Sequence, residues 1–512
     1  MEGRTFRQRV LFPAGVLLLL VAFVVTATVA LESDPSDDAE VAAAPKGRYR
    51  FRDVTRSAGV ADAGRTWGSS WIDFEDDGDP DLFVVRHWRE PMLYLNDGGE
   101  FDPWTVPAEL RGTHMDRHQC TWGEGNHDGR PDLLCVQGAD NGQGEGPNQL
   151  LVNTGDGLRN RAAQLRIQYA KGRGRTANWV DYDGDGDLDA FEGTTERPRF
   201  PMQLFKRGRE NFKKARAGLS HELSVLSSTW ADWDRDGDFD LLVNQHYPFV
   251  TVAYENLAGK EFRPVHLPRI TGKKWISASW GDFDADGWID LQLAGRKRLR
   301  IYRNKKGRLR PVYKTRLKQG RAGTWFDVDN DGDLDSFVVQ GARGNHPKDD
   351  SVNWRDFLVI RRKGGFKRVE EGSFRGPTEG NGEQATIADY DRDGRLDVFV
   401  TNGLHYYQGP TTLLRNEMNA GSWGGVDLAG SRKNPMGYGT VVKWRIGKRV
   451  FKRLLTEEVV FKGQSEVGYV HLGFGDATAA DVKLKWPDGD VDCTRLPAGT
   501  VLSIEKGSLG CP

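Results

Sequence analysis

Cysteine is scarce in this chain, with four residues in 512. Four are too few for a disulfide scaffold, and they do not fall at zinc-site spacings. No G-x-S-x-G elbow occurs, so the usual mark of an α/β-hydrolase nucleophile is missing. The Gly-rich stretch GQGEGP at 142–147 is not followed by a helical pattern, and it reads as a loop insertion rather than a phosphate cradle. No N-x-S/T sequon is present, which points away from a eukaryotic secretory pathway. Net charge is nearly absent too, at −1. That balance conceals segregation. Acids gather in seven short loops, whereas bases lie in runs at 171–175, 206–216, 295–300 and 361–368. Such runs read first as solvated faces and otherwise as contacts for anionic partners.

Glycine is abundant, with 62 residues, and the mean hydropathy is low. That composition suits a turn-rich β protein better than a helical one. Arg4, Arg7 and Arg9 precede an apolar run at 10–31, so residues 1–31 read as a secretory signal peptide or an N-terminal membrane anchor. Either implies an exported protein: extracellular, at the cell surface or periplasmic. Residues 32–47 have the composition of a flexible linker. A repeat domain at 48–420 and a second domain at 421–512 complete the expected organisation.

The repeat is an acidic nonapeptide, roughly D-x-D-x-D-G-x-x-D, that starts at Asp73, Glu124, Asp181, Asp232, Asp282, Asp327 and Asp389. A period near 50 residues is that of a propeller or solenoid. Two residues before each loop stand Trp71, Trp122, Trp179, Trp230, Trp280, Trp325 and Ile387. Four before stand Ser69, Cys120, Ala177, Ser228, Ala278, Gly323 and Ala385. Residues two apart share a strand face, so each copy places a small side chain beside a large one. Small residues suit strands crowded round an axis, and the Trp would fill the space between blades. An apolar strand follows every loop, and most repeats add a strand reading L-x-x-N. The expected fold is therefore all-β: a seven-bladed β-propeller with a small C-terminal β-sandwich or barrel-like domain. A strand around 49–54 would complete the last blade and close the ring.

Carboxylates this dense repel one another unless a cation sits between them. Hard oxygen ligands on a short turn suit calcium, and several ions, up to seven, are expected. Positions 1, 3, 5 and 9 of each loop are the candidate metal ligands. They are Asp73, Glu75, Asp77 and Asp81; Glu124, Asn126, Asp128 and Asp132; Asp181, Asp183, Asp185 and Asp189; Asp232, Asp234, Asp236 and Asp240; Asp282, Asp284, Asp286 and Asp290; Asp327, Asp329, Asp331 and Asp335; and Asp389, Asp391, Asp393 and Asp397. Position 6 is Gly in all seven, as a sharp turn requires. Position 7 varies too much for a side-chain ligand and would offer its carbonyl. Residues 181–192 fit the EF-hand pattern in full, but the flanks read as strands, so a calcium loop within a β-hairpin is expected. The loop at Glu124 carries the least charge.

These loops resemble the FG-GAP/VCBS repeats of integrin α-type propellers, over about 49–419. Near the C-terminus NPMGYGTVVKW (434–444), FKGQSEVGYVHLGFG (461–475) and DVKLKWPDG (481–489) resemble the ASPIC/UnbV domain. The combination is similar to the cartilage acidic protein family. The resemblance implies calcium ligation at loop positions 1, 3, 5 and 9, and an exported interaction protein with no established catalytic activity. Alternating apolar residues (Val441, Val442, Trp444; Val482, Leu484, Trp486) agree with a small β domain.

Cys120 and Cys135 read equally as buried core residues or a cross-strand disulfide, and Cys493 with Cys511 as a disulfide. His114, Asp116 and His118 form the one unique polar group away from the repeat positions. The leading expectation is a non-enzymatic protein- or glycan-binding module, with no nucleic-acid partner. Membrane attachment through 10–31 stays open, and the expected ligand is a protein or an anionic glycan. The alternative is a propeller-based polysaccharide lyase or hydrolase.

Overall fold

The computed structural model describes residues 49–511 except 108–109, 112–115, 139–145, 196–198, 216, 221, 248–249, 343–353, 371, 373–380 and 404–408. The expected signal or anchor (1–31), the linker (32–47) and His114 lie outside the described residues. Among those described, every regular element is a β-strand and no α-helix occurs.

Seven sheets each contain a four-strand antiparallel arrangement. Their first strands are Thr66–Ile72, Arg117–Gly123, Gly174–Val180, Ser224–Ala231, Ser277–Gly281, Gly320–Phe326 and Gln384–Ala388. Each of these strands touches the next in order, and the seventh touches the first, so the sheets form a closed propeller. The seventh sheet takes its outermost strand from the start of the domain: Phe51–Asp53 pairs with Thr412–Asn416, Phe51 opposite Asn416. That pairing joins the two ends of the ring and protects an edge that would otherwise be open.

The alternation of small and large residues has the expected consequence. Trp71, Trp122, Trp179 and Trp230 are buried, packed among aliphatic and aromatic side chains of adjoining sheets. Three of the tryptophans also tie neighbouring sheets together through their indole N–H. Trp179 donates to Thr121 O at 3.1 Å, Trp325 to Ser279 O at 3.3 Å, and Trp71 to Thr386 Oγ1 at 2.9 Å. Each acceptor stands three residues before a loop, one sheet back. The Trp71 bond links the first sheet to the seventh.

Residues 422–505 add two more sheets. One comprises Ser422–Ala429, Tyr469–Gly475 and Val501–Glu505. The other comprises Val441–Ile446, Arg449–Leu454, Ala479–Lys485 and Val491–Pro497. Val442, Trp444, Val482 and Leu484 from the second meet Val426, Leu428, Val470 and Leu472 from the first in one core, which makes this a sandwich. Val441 turns out half-buried, since alternation assigns the core face to Val442 and Trp444.

This sandwich sends one segment, 456–466, into the centre of the ring. Gln464 pairs in parallel with Ser70 of the first sheet. Its side-chain amide accepts from Trp122 N at 2.7 Å and donates to Trp122 O at 3.2 Å. Glu457 accepts from Trp179 N at 2.7 Å. Ser465 Oγ accepts from Ile387 N at 3.1 Å, and Glu466 Oε2 from Asp389 N at 3.2 Å. Val460 and Phe461 pack against Ile276 and Ala322. The segment thus plugs the axis, filling a channel that small inner residues leave open.

Both cysteine pairs are joined. Cys120–Cys135 is a cross-strand bridge between directly opposed residues of the second sheet, and Cys493–Cys511 fastens the C-terminus to the sandwich. Sister sheets place Ala177 and Ala385 where Cys120 stands, and Val243 and Val400 where Cys135 stands. The double variant Cys120→Ala/Cys135→Val should therefore pack well and lose only the cross-link. Closing a loop of 15 residues is worth about 3 kcal/mol. A lower denaturant midpoint is the expected result.

Candidate metal loops and an axial cluster

Each acidic loop joins the first two strands of a sheet and has the same backbone path. Position 6 is left-handed in all seven copies, with φ from 82° at Gly394 to 104° at Gly237. Position 4 is left-handed as well, at Asp76, His127, Gly184, Arg235, Ala285, Asn330 and Arg392. The two reversals coil the backbone round the position 1 carboxylate. That carboxylate accepts from the position 6 N–H at 2.8 Å in the loops of Asp73, Glu124 and Asp327, and at 2.7 Å in that of Asp282. In every copy the position 5 Asp accepts from the position 7 N–H, at 2.9–3.1 Å.

Position 9 has a second duty. Asp81, Asp132, Asp189, Asp240, Asp290, Asp335 and Asp397 open the second strand and are all buried. Each accepts a backbone N–H from the third strand, as Asp81 does from Asn96 at 2.8 Å and Asp290 from Asn304 at 2.6 Å. The L-x-x-N signature now has a cause. The Asn amide reaches back to the preceding sheet's loop: Asn96 to Tyr390 O, Asn256 to Tyr182 O, Asn304 to Trp233 O and Asn416 to Val328 O, at 2.7–3.0 Å. The third-strand Asn is thus a positioning residue for two loops at once.

Carboxylate oxygens converge within 4.8 Å of one another in Asp181/Asp183/Asp189, Asp232/Asp234/Asp236, Asp282/Asp284/Asp290 and Asp327/Asp329/Asp335. Burial, reinforced by neighbouring carboxylates, raises Asp181 and Asp232 to about 6, Asp282 to about 7, and Asp189, Asp240 and Asp290 to about 9. Among the described residues twelve buried carboxylate oxygens have no hydrogen-bond donor, and nine of them lie in the acidic loops: those of Asp183, Asp187, Asp189, Asp232, Asp240, Asp282, Asp329, Asp391 and Asp397. Eight of these nine belong to positions 1, 3 or 9 of the third to seventh loops, where a metal ion would satisfy them; the ninth, Asp187 at position 7, faces Lys433. Basic side chains from the third strands supply part of the missing charge. Arg303 reaches Asp284 at 2.6 Å, Arg415 reaches Asp391 at 2.8 Å, and Lys206 reaches Asp185 at 3.0 Å. The first two loops differ. Glu75 and Asp77 are exposed, and in the second loop Asn126 donates to Asp128 at 3.0 Å. Neither contains an orphaned buried carboxylate oxygen among the described residues.

The face bearing these loops is not open. The sandwich rests on it: Lys433 pairs with Asp187 at 2.5 Å, Arg449 with Asp333 at 3.0 Å, and His471 with Asn330 at 2.9 Å. The chain's own second domain therefore occupies part of the loop face.

A second polar group lies near the axis. Asp116 and His118 come together as their proximity in sequence suggests, and His87, from the end of another strand, joins them. All three are buried. His118 Nε2 lies 3.0 Å from Asp116, and its Nδ1 lies 2.6 Å from Gly174 O. Burial and the adjacent Arg175 push the His118 imidazole down to about 3. Burial works against the Asp116 charge, yet His118 and His87 outweigh it and hold that carboxylate below its ordinary range. Trp67 stacks on both rings, at 4.1 Å from His87 and 4.8 Å from His118. A methyl group on Gly138 would overlap Asp116 and His118, so glycine is required there.

The acidic loops match the FG-GAP-like repeat over residues 73–135, 125–191, 282–338 and 327–400, and the sandwich matches ASPIC and UnbV over 430–509. The chain carries FG-GAP repeats and an ASPIC and UnbV domain. The matched repeats skip 192–281, which hold the loop of Asp232, although that loop shares the geometry of the others. Cartilage acidic protein 1 of Homo sapiens is 26% identical over 235 residues, 44% of this chain and 34% of that protein. The Mus musculus protein is 28% identical over 241 residues, 44% of this chain and 35% of that protein. The chain thus spans about a third of the length of the curated relatives it matches. Among solved structures, the extracellular domain of a one component system from B. thetaiotaomicron aligns with a TM-score of 0.43 and 9% identity, covering 90% of this chain and 60% of that one. Neither matched family description names a catalyst.

Proposed function

We propose that this FG-GAP and ASPIC/UnbV chain is an exported, calcium-stabilised module that binds a protein or an anionic glycan. The observation that carries the calcium reading is that eight of the twelve orphaned carboxylate oxygens among the described residues fall at positions 1, 3 or 9 of the third to seventh loops. Positions 1, 3 and 9 of the third to seventh loops would hold the ions, joined by position 5. Calcium tolerates the irregular oxygen cage that such a loop offers, and when bound it supplies the positive charge that buried carboxylates lack. Because the loops also carry the sandwich, ion binding and domain docking support each other. Basic runs outside the loops favour an acidic partner once the loop charges are neutralised. Glycan-array binding measured with and without chelator tests this reading: binding to acidic glycans or proteins that disappears with chelator supports it, and no binding in either state refutes it.

One observation favours a second reading, a polysaccharide lyase or hydrolase: the convergence of His87, Asp116 and His118 at the axis. Turnover of an acidic polysaccharide that is lost in His118→Ala would establish it.

A further inference from the structure

The outer hairpin of the fifth sheet carries charge of one sign only. Thirteen Lys and Arg, and neither Asp nor Glu, stand between Asp290 and Asp327. Most of that stretch forms Arg298–Lys305 and Arg308–Arg316, the third and outermost strands of the sheet. The register of the two strands sets base against base. Lys305 stands opposite Arg308, Arg300 opposite Lys314, and Arg298 opposite Arg316. Arg303 faces Arg310 in the same way, although Asp284 and Asp286 engage it at 2.6 and 3.1 Å. Among the described residues none of the other seven has an ion-pair partner, and all of them but Arg300 are exposed. Like charges directly opposed destabilise a sheet, so this arrangement costs the fold stability.

Protection of an open edge is the ordinary reason for charge on an outermost strand. The other six outer strands need only three to five residues for it, and those of the first and seventh sheets include Glu100, Asp102 and Asp53. Here the strand runs to nine residues without an acid. At about 3.4 Å per residue it extends about 30 Å, which matches an extended chain of repeated negative charge rather than a single anion. The basic surface continues onto the sixth sheet, whose strands Phe357–Arg362 and Gly365–Val369 also lack acids. Arg368 of that sheet donates to Thr315 Oγ1 at 3.2 Å. Val312 is the hairpin's one exposed large apolar side chain, too little to enter a bilayer. Tyr313 is half-buried against Phe366, so the outer strand offers no open ring for nucleobases to stack on. Six of the eight bases are arginines, whose planar forks match carboxylates and tetrahedral oxyanions.

We propose that the outer hairpin of the fifth sheet binds a linear acidic polysaccharide along its ladder of paired bases. This rests on the anionic-glycan part of the proposed function and gives it a place on the rim of the ring.

The test titrates the full chain, with calcium, against heparin and polyuronate oligosaccharides of equal length, duplex DNA, and vesicles containing phosphatidylserine. Arg310→Gln/Lys314→Gln/Arg316→Gln removes three charges from the ladder. Arg209→Gln/Lys213→Gln/Lys214→Gln removes three exposed charges from the third sheet. Binding of either oligosaccharide is expected, weakened at least tenfold in the first variant and less than twofold in the second. The first variant should melt no lower than wild type, since opposed charges are gone. Lys305→Gln/Arg308→Gln, at the other end of the hairpin, serves if the first variant does not fold. Equal weakening by both triple variants would reveal attraction to net charge alone and overturn the site, leaving the glycan reading intact. DNA or vesicles bound in place of oligosaccharide, and lost in the first variant, would overturn the polysaccharide assignment. A wild type that binds no polyanion, with a first variant that aggregates, would assign the bases to edge protection and end the proposal. Array binding that the ladder variants leave unchanged would also end it, while the proposed function stands.

Discussion

Removing calcium from this protein is expected to lower its melting temperature by on the order of 10 °C. A ligand at about 100 times its dissociation constant adds roughly 2.7 kcal/mol per site to the folded state. Five loops contain buried carboxylate oxygens without donors, so the summed effect is several times one site. A larger domain shifts by only one to a few degrees per kcal/mol, which sets the scale. The effect should be distributed unevenly. Asp282→Ala, in a loop with an orphaned oxygen, should remove part of the calcium-dependent shift. Asp77→Ala, in an exposed loop, should leave most of it. Scanning calorimetry of both variants, with calcium and with chelator, measures the difference.

The second large effect concerns the axis. Gln464 is fully buried, and its amide serves both the N–H and the carbonyl of Trp122. Gln464→Ala strands the Trp122 N–H in a region that water cannot enter easily, whereas Trp122 O keeps the Tyr438 hydroxyl at 2.8 Å. Leaving one buried polar group unsatisfied costs about 1–3 kcal/mol, which is the loss expected of the variant. The loss should appear in the melting of the whole molecule, because the segment is held by strands of several sheets. Wild type is accordingly expected to unfold in one transition, with tryptophans of both domains reporting the same midpoint. Two separated transitions, with the sandwich melting alone and Gln464→Ala affecting only it, would show that the plug does not couple the domains.

Most of the ring was legible because its determinants are local and repeated. Trp two residues before each loop and a small residue four before encode the inter-sheet packing, and Gly at position 6 encodes a left-handed turn. The closing strand could be found because seven loops left one sheet short of a strand. Position 4 could not be found: Asp, His, Gly, Arg, Ala, Asn and Arg share no chemistry, and only the coil of the loop makes that residue left-handed. His87 was invisible for a different reason. It sits 29 residues from Asp116, at the end of a strand in another sheet, and only the packing of the first sheet against the second brings the two together. The plug was hidden likewise. The stretch 461–465 reads as ordinary sandwich sequence, and its partners, from Ser70 to Ile387, are set by tertiary docking alone.

Whether ions sit in the loops is tested most directly by an anomalous-difference map from crystals grown with calcium or a lanthanide substitute. The account predicts peaks enclosed by positions 1, 3, 5 and 9 of the third to seventh loops, with Lys206 and Arg303 drawn back from their carboxylates. A map without a peak in any loop, in which those basic side chains still bridge the acids, would contradict it.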